Sequence, residues 1–259
     1  MEFFQALTVQ GRVIAALTLR ETRARYGHSK LGFFWALFEP AAHVAVFMAI
    51  FSSLGRSSPV GDNIGIFLLT GIIPWLLFNN TVSQVMNGLI ANKALLGYPQ
   101  VMPLDITISR IILEFSSLFL VMLFFIGVAT YTGTTIKIDN FLVMMQASGL
   151  FVMLGAGVGM INTAIMHSVP SYQNIYSAIS RPLYFMSGIF FTADFLSPDA
   201  FKILGYNPLL HLMDWFRTGF FTSFNSTVYD KSYAVSSTLI IFTIGLTLER
   251  ATRKKARVG

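Results

Sequence analysis

The segment Leu19–Pro40, LRETRARYGHSKLGFFWALFEP, joins a basic patch to the beginning of an apolar stretch that continues to Leu54. Its cations are Arg20, Arg23, Arg25 and Lys30. Cations directly before an apolar stretch of this length are typical of the cytoplasmic end of a first membrane span. Glu39, Pro40 and His43 lie inside the stretch, and ionisable groups in a span are functional candidates by default. The segment therefore predicts a membrane protein whose first span takes part in its function.

The composition of the whole chain agrees with this prediction. Hydrophobic residues make up 54% of the 259 residues and charged residues only 12%, whereas about 25% is typical of soluble domains. The positive-inside rule explains the net charge of +6, so we expect no nucleic-acid partner. The absence of cysteine excludes disulfides and thiol catalysis. Met1–Thr18 has no long apolar run, and we expect no cleaved signal peptide.

Six windows are apolar over about the 20 residues that a membrane-spanning helix needs. They are Phe33–Leu54, Ile64–Met86, Ile106–Thr130, Phe141–Met166, Ile175–Ala193 and Tyr233–Leu248. The predicted fold class is all-α, a polytopic membrane protein with six transmembrane helices in one domain of residues 1–259. Five spans lie within residues 33–193 and the sixth at residues 233–248. The distribution of Lys and Arg predicts that both termini are cytoplasmic, including a basic tail at residues 249–259.

Three segments outside the spans have their own patterns. Residues 1–30 place apolar and basic side chains on opposite helical faces, which predicts an amphipathic helix on the membrane surface, either as an anchor or as a site of substrate access. Residues 194–232 are apolar but interrupted by Pro198, Gly205 and Pro208, which predicts short re-entrant helices at the outer side. The apolar inner loop at residues 87–105 either packs against the spans or docks on a cytoplasmic partner.

Motifs for chemistry are weak in this chain. There is no G-x-x-x-x-G-K-[ST] loop, so ATP binding by that route is excluded. Glu39 with His43, and His211 with its neighbours on the same helical face, favour structural pairing over a catalytic or metal site. Arg110 and Glu114 lie four residues apart in the third window, and we expect them to pair with each other. Arg181 lacks a local partner and either lines a path or extends to the headgroups.

A resemblance emerges from several of these residues together. Arg20-Glu21, Arg25-Tyr26-Gly27, Trp35, Glu39-Pro40 and His43 resemble the N-terminal signature of KpsM-type capsular polysaccharide export permeases, the membrane subunits of type-2 ABC exporters. The resemblance continues through Pro103-Leu104-Asp105 to Asn207-Pro208-Leu209. The Arg-Glu, Trp and Pro pattern is shared with O-antigen and teichoic-acid export permeases, and the Glu39-Pro40-His43 form favours the capsule branch.

The resemblance implies a permease subunit in the bacterial inner membrane with no ATPase site and no cofactor of its own. A second copy of the chain and two cytoplasmic ATPase subunits, which bind ATP and Mg, would complete the exporter. The cargo would be a lipid-linked acidic polysaccharide at a surface of membrane lipids. A periplasmic co-polymerase-like adaptor and an outer-membrane export protein would carry it onward.

Three groups of candidate site residues follow from the resemblance and the patterns, and none is expected to be catalytic or to bind metal. Substrate access and path are assigned to Arg20, Arg23, Arg25, Trp35, Glu39, His43, Arg181 and Tyr184. ATPase coupling is assigned to Leu95, Leu96, Tyr98 and Pro99. An outer gate is assigned to Asn207, Pro208, His211, Asp214 and Arg217.

Two alternatives remain open at this level. The same architecture could export O-antigen, teichoic acid or another cargo. A membrane-embedded glycolipid transferase would instead use Glu39, His43 or Asp214 as acid or base and would need no ATP. A secondary transporter is disfavoured because the two halves of the sequence show no internal repeat.

Overall fold

The computed structural model of the chain describes the backbone of residues 2–27 and 32–258 and the side chains of residues 8–27 and 34–252. Its helices are α1 (Glu2–Tyr26), α2 (Gly32–Ser53), α3 (Ile64–Ala91), α4 (Pro103–Tyr131), α5 (Phe141–Met166), α6 (Tyr172–Met186), α7 (Pro198–Leu204), α8 (Pro208–Phe220) and α9 (Lys231–Val258). A 3-10 turn, Lys93–Gly97, joins α3 to α4. The prediction of an all-α fold is confirmed. Residues 28–30 of the predicted N-terminal helix, including Lys30, lie outside the described residues.

Five of the described helices are long and apolar enough to cross a membrane. They are Phe34–Ser53, Ile64–Ala91, Pro103–Tyr131, Phe141–Met166 and Lys231–Thr252. They correspond to the first four predicted windows and the sixth. The multi-span prediction is therefore confirmed at these five windows.

The fifth predicted window, Ile175–Ala193, needs a correction. Its helix, α6, has 15 residues and ends at Met186, which gives a length of about 22 Å at 1.5 Å per residue. Gly188 has a φ of 78°, a left-handed conformation that ends helices. Residues 189–193 then run beside α8, where their backbone groups bind Arg217 and Asp214. The apolar window is thus a short helix followed by a turn that packs on α8.

Side-chain caps set the beginning of several helices. Asn63 accepts hydrogen bonds from the first backbone N–H groups of α3, and Ser197 and Asn207 do the same for α7 and α8. Pro198 and Pro208 directly follow these caps. Proline is favoured there because the first helical N–H has no partner within the helix. The two short helices before the last span therefore begin where the sequence predicts breaks.

The central helix of the bundle is α3, with 78% of its apolar window buried, whereas only 11% of the α2 window is buried. Glycines let α5 pack closely on α3. A Cβ atom at Gly155 would lie 2.8 Å from the carbonyl oxygen of Phe78, and one at Gly159 would lie 2.7 Å from Cβ of Val85. Small residues at this spacing allow close helix contact inside a membrane protein. Gly155 and Gly159, which form a G-x-x-x-G sequence, therefore allow α5 to pack on α3 within one chain.

The two ends of the bundle carry different extra elements. Helix α1 packs on α4 near the point where α3 ends, and we call this the α1 end. Helix α8 packs near the beginnings of α3, α5 and α9, and we call this the α8 end. The predicted sixth span and most of the predicted tail, residues 249–259, form one continuous helix, since α9 extends to Val258.

Candidate functional site

Asn92 joins α1 to the turn between α3 and α4. It directly follows α3, and only 2% of it is exposed. Its Oδ1 accepts a hydrogen bond of 2.6 Å from Arg20, and its Nδ2 donates one of 2.8 Å to Glu21. Buried amides need such partners because an unmet hydrogen-bond group is costly away from water. The residue that precedes the 3-10 turn is therefore held by two side chains of α1, and we call these three residues the Asn92 junction.

Two ion pairs also join α1 to α4. Arg110 lies 3.4 Å from Glu21 and donates hydrogen bonds to the carbonyl oxygen and side chain of Gln84. Arg25 pairs with Glu114. The expectation that Arg110 and Glu114 pair with each other is therefore corrected, since the partner of each lies on α1. The reason is that both share the α4 face that α1 covers, where α1 presents the opposite charges at the same spacing.

The three cations assigned to substrate access have different surroundings. Arg20 and Arg25 bind protein groups at the α1–α4 contact. Arg23 is exposed, and within the described part of the chain no side chain forms an ion pair or hydrogen bond with it. Arg23 is therefore the member of the group whose charge is available to a ligand, whereas the other two hold α1 in place.

The residues assigned to ATPase coupling divide into a buried and an exposed part. Leu96 is buried with Leu17 and Ile106, and Leu95 packs at the edge of this cluster. Tyr98 is 63% exposed, and Pro99 is exposed as well. The packing alternative is therefore confirmed for one side of this loop, whereas docking on a partner stays a prediction for the exposed side. One side of the turn packs on α1 and α4, and the other side is free to contact a partner.

Two path residues from distant parts of the sequence meet in an aromatic cluster. The rings of His43 in α2 and Tyr184 in α6 have centroids 6.2 Å apart, and Tyr184 also contacts Trp75 and Phe190 at 5.3 and 5.4 Å. The hydroxyl of Tyr184 and Nδ1 of His43 are buried without a hydrogen-bond partner among the described residues. Two polar atoms of the cluster are thus left for a ligand or water.

The other path residues lie on exposed faces of the same two helices. Trp35 is 62% exposed, and its ring packs edge-on against Phe38. Glu39 in α2 and Arg181 in α6 are exposed. All five path residues of α2 and α6 therefore lie on or beside the least covered side of the bundle.

At the α8 end, Arg217 binds the turn that follows α6. Its guanidinium donates hydrogen bonds of 2.6–2.9 Å to the carbonyl oxygens of Gly188, Ile189 and Phe191. Asp214 lies 3.8 Å from it and accepts a hydrogen bond of 2.8 Å from the N–H of Ala193. Both charged side chains are fully buried. A buried guanidinium with several carbonyl acceptors is a strong structural contact.

The remaining residues assigned to the outer gate connect neighbouring helices. His211 accepts a hydrogen bond at Nδ1 from the N–H of Asp230, so its Nε2 donates to the carbonyl oxygen of Gly205 at 2.8 Å. Asn207 donates to the carbonyl oxygen of Met186 at 3.1 Å and caps α8, which begins at Pro208. These contacts hold the ends of α6 and α7 and the start of α9 around α8.

Sequence reasoning missed several residues of these sites. Asn92 and Gln84 belong to no motif, and Phe67, whose ring lies 4.1 Å from the Arg217 guanidinium, was assigned no site role. Each gains its role from a residue at least 26 positions away. The sequence signal at Asn92 was a polar residue in the inner loop at residues 87–105, and asparagine is common where helices end.

Comparisons with known proteins identify the family of the chain. A family model described as ABC-2 type transporter matches residues 12–221. The chain is 31% identical to the polysialic acid transport protein KpsM of Escherichia coli, over 96% of both chains. It is 28% identical to the capsule polysaccharide export inner-membrane protein BexB of Haemophilus influenzae, over 95% of this chain and 93% of that protein.

A more distant relative is the O-antigen export system permease protein RfbA of Myxococcus xanthus, with 24% identity over 81% of this chain and 80% of that protein. The matches extend along almost the whole bundle, including α1, the 3-10 turn and α8. The chain therefore belongs to the ABC-2 type transporter family, as a membrane-spanning permease subunit whose ATPase is a separate subunit.

Proposed function

We propose that this permease moves lipid-linked capsular polysaccharide from the cytoplasm across the inner membrane. The observation that carries this proposal is the 31% identity to the polysialic acid transport protein KpsM over 96% of both chains. Capsule export proteins also match over more of the chain than the O-antigen permease does. Coverage and identity together favour a capsule cargo over O-antigen.

The ATPase subunits contact the α1 end of the bundle, where Tyr98 and Pro99 are exposed. The geometry supports this assignment because the buried side of the same turn is attached to α1 through Leu96 and the Asn92 junction. A push on the exposed side would move α1 together with the turn. In this proposal the ATPase binds ATP and Mg, the α1 end is cytoplasmic, and both termini lie on that side.

A second copy of the permease covers the exposed side formed by α2 and α6. Only 11% of the apolar window of α2 is buried within one copy, and Trp35, His43 and Tyr184 lie on or beside this side. The path for the polymer runs along the same side, where aromatic rings and unpartnered polar atoms suit sugar faces and hydroxyl groups. Arg23 gathers the anionic end of the cargo at the membrane surface.

At the α8 end, the residues from Asn207 to Arg217 form the frame of an outer gate. Their hydrogen bonds hold the turn after α6, so movement of α6 at the path is transmitted to α8. We propose that a periplasmic adaptor and an outer-membrane export protein receive the polymer beyond this gate. A membrane-embedded transferase that uses Asp214 as acid or base fits less well, because this carboxylate lies beside Arg217 and accepts a hydrogen bond from the N–H of Ala193.

Deletion and complementation test the proposal. Removing the gene from its host should abolish capsular polysaccharide at the cell surface while polymer accumulates inside, and the tagged permease should restore export. The same tagged protein, purified in mild detergent, should bring an ATPase subunit with it. Loss of surface O-antigen with an intact capsule would assign the other cargo. Intact export of both polymers would refute the proposal.

A further inference from the structure

Glu39 and Arg181 are opposite charges on the two least covered helices of the bundle. Both side chains are exposed, and within the described residues neither forms an ion pair or a hydrogen bond. Glu39 lies in an apolar window of 20 residues. Charged side chains in such positions face protein or water rather than lipid, because exposure to hydrocarbon is costly. Within the described residues neither charge has a partner in its own copy, and Glu39, in its apolar window, needs one.

The two charges lie at a similar level along the bundle. His43 and Phe47 of α2 both contact the ring of Tyr184, and Phe47 and Phe51 contact Phe190, which follows α6. The contacts advance together along both segments, so α2 and α6 run in the same direction. Glu39 precedes His43, and Arg181 precedes Tyr184, by about one helical turn of 5.4 Å in each case.

Membrane geometry restricts which residues can satisfy these charges. Two copies inserted in the same orientation are related by a two-fold axis along the membrane normal, and this operation preserves the depth of every residue. Every contact in such an interface occurs twice. If residue i of one copy contacts residue j of the other copy, then residue j of the first copy contacts residue i of the other copy. Glu39 can therefore meet only groups of the second copy at about its own depth, and among the described residues of α2 and α6 the cation at a similar depth is Arg181.

We propose that Glu39 of one copy forms an ion pair with Arg181 of the partner subunit, and that the pair occurs twice across the two-fold axis. The site on the uncovered side is incomplete in one copy, because each copy supplies one charge to each pair. The two pairs hold α2 against α6 of the other copy. When the copies separate during transport, Arg181 becomes free to bind an anionic group of the cargo. This inference rests on one part of the proposed function, namely that the permease works as a pair of copies.

Cysteine cross-linking tests the contact directly, because the chain contains no cysteine of its own. Two differently tagged full-length copies, one Glu39→Cys and the other Arg181→Cys, are expressed together and treated in native membranes with a short thiol cross-linker. The expected product is a covalent dimer that carries both tags. The matched control replaces Arg181→Cys with Ile112→Cys, an exposed position on α4, and should give no such dimer.

Charge reversal supplies a second measurement. Glu39→Arg and Arg181→Glu should each lower the recovery of dimers carrying both tags by about tenfold, and the double variant should restore this recovery to within about twofold of the unmodified protein. Co-purification of the ATPase is measured for every variant. A cross-link no stronger than the control, or dimers formed only between two Glu39→Cys copies, would overturn the pair. If the cross-link forms but no ATPase accompanies the protein, the pair stands and the proposed function fails.

Discussion

Arg25 of α1 forms an ion pair with Glu114 of α4, and the side chain of Glu114 is only 1% exposed. The two residues are 89 positions apart in the sequence. Since Glu114 lies in a helix long and apolar enough to span the membrane, removal of Arg25 would leave a buried carboxylate without its ion-pair partner. The basic patch that precedes the first span thus contains a cation with a structural role, Arg25, and an exposed cation, Arg23.

Arg25→Ala should destabilise the protein, whereas Arg23→Ala should not. We expect Arg25→Ala to cost about 1–3 kcal/mol, less than a fully buried pair because part of Arg25 is exposed to solvent. Thermal unfolding of the purified permease in detergent measures the difference. Arg23→Ala should instead lower export with an unchanged melting temperature. Equal effects of both substitutions on stability would contradict this division of roles.

Asn92→Ala should separate ATP hydrolysis from transport. The substitution leaves Arg20 and Glu21 without the amide that joins them to the turn, so the turn can move without α1. We expect export to fall while the complex still hydrolyses ATP, measured as surface polymer and phosphate release. Asn87→Ala is the control, because the side chain of Asn87 forms, among the described residues, a hydrogen bond only within its own helix, to the carbonyl oxygen of Ser83. A parallel loss of both activities in Asn92→Ala would argue against coupling through this residue.

Truncation of Tyr98 should affect the contact with the ATPase, whereas truncation of Leu96 should affect stability. Tyr98→Ala removes an exposed ring and should weaken co-purification of the ATPase without a change in melting temperature. Leu96→Ala opens a cavity in the cluster with Leu17 and Ile106, and we expect a loss of about 2 kcal/mol or more. The ratio of ATPase to permease in the purified sample and the melting temperature distinguish the two. An ATPase ratio unaffected by Tyr98→Ala would exclude this side of the turn as the contact.

Arg217→Met should be among the most destabilising single substitutions. It leaves three carbonyl oxygens without their donor and the buried carboxylate of Asp214 without its cationic partner, and breaking such a buried pair costs about 3–5 kcal/mol. The exposed pair of Lys202 and Asp199 provides the control, since Lys202→Met should change stability by less than about 1 kcal/mol. Folding yield and melting temperature report both effects. A stable Arg217→Met protein would show that the turn after α6 does not need this contact.

Gly155→Ala should destabilise α5, whereas Gly149→Ala should not. The new Cβ atom at Gly155 would meet the backbone of α3 at 2.8 Å, while the space around Gly149 is open within 4 Å. We expect a cost of about 1–3 kcal/mol at Gly155 and a gain of up to about 1 kcal/mol at Gly149 from improved helix propensity. Melting temperatures in detergent compare them. Stabilisation by both substitutions would mean that α3 and α5 are less closely packed than described.

The two short helices of the α8 end illustrate how far sequence reasoning extends. Pro198, Gly205 and Pro208 predict breaks, because proline and glycine act through the local backbone. The end of α6 was not predictable in the same way. Ile175–Ala193 is apolar throughout most of its length. Gly188 permits the turn, but the carbonyl contacts of Arg217, 26 to 29 residues further along, hold residues 188–191 in it.

The sequence by itself determined that the chain is a multi-span membrane protein, with a basic amphipathic helix before the first span and broken helices before the last. These features follow from composition and spacing within about 20 residues, the length that a bilayer requires. Only the tertiary structure decided which charges are partners. The local sequence does not identify the partners of Arg20, Arg25, Arg110 and Glu114, because a charge in an apolar environment pairs with the nearest opposite group in space. That group lies on another helix for each ion pair at the α1–α4 contact.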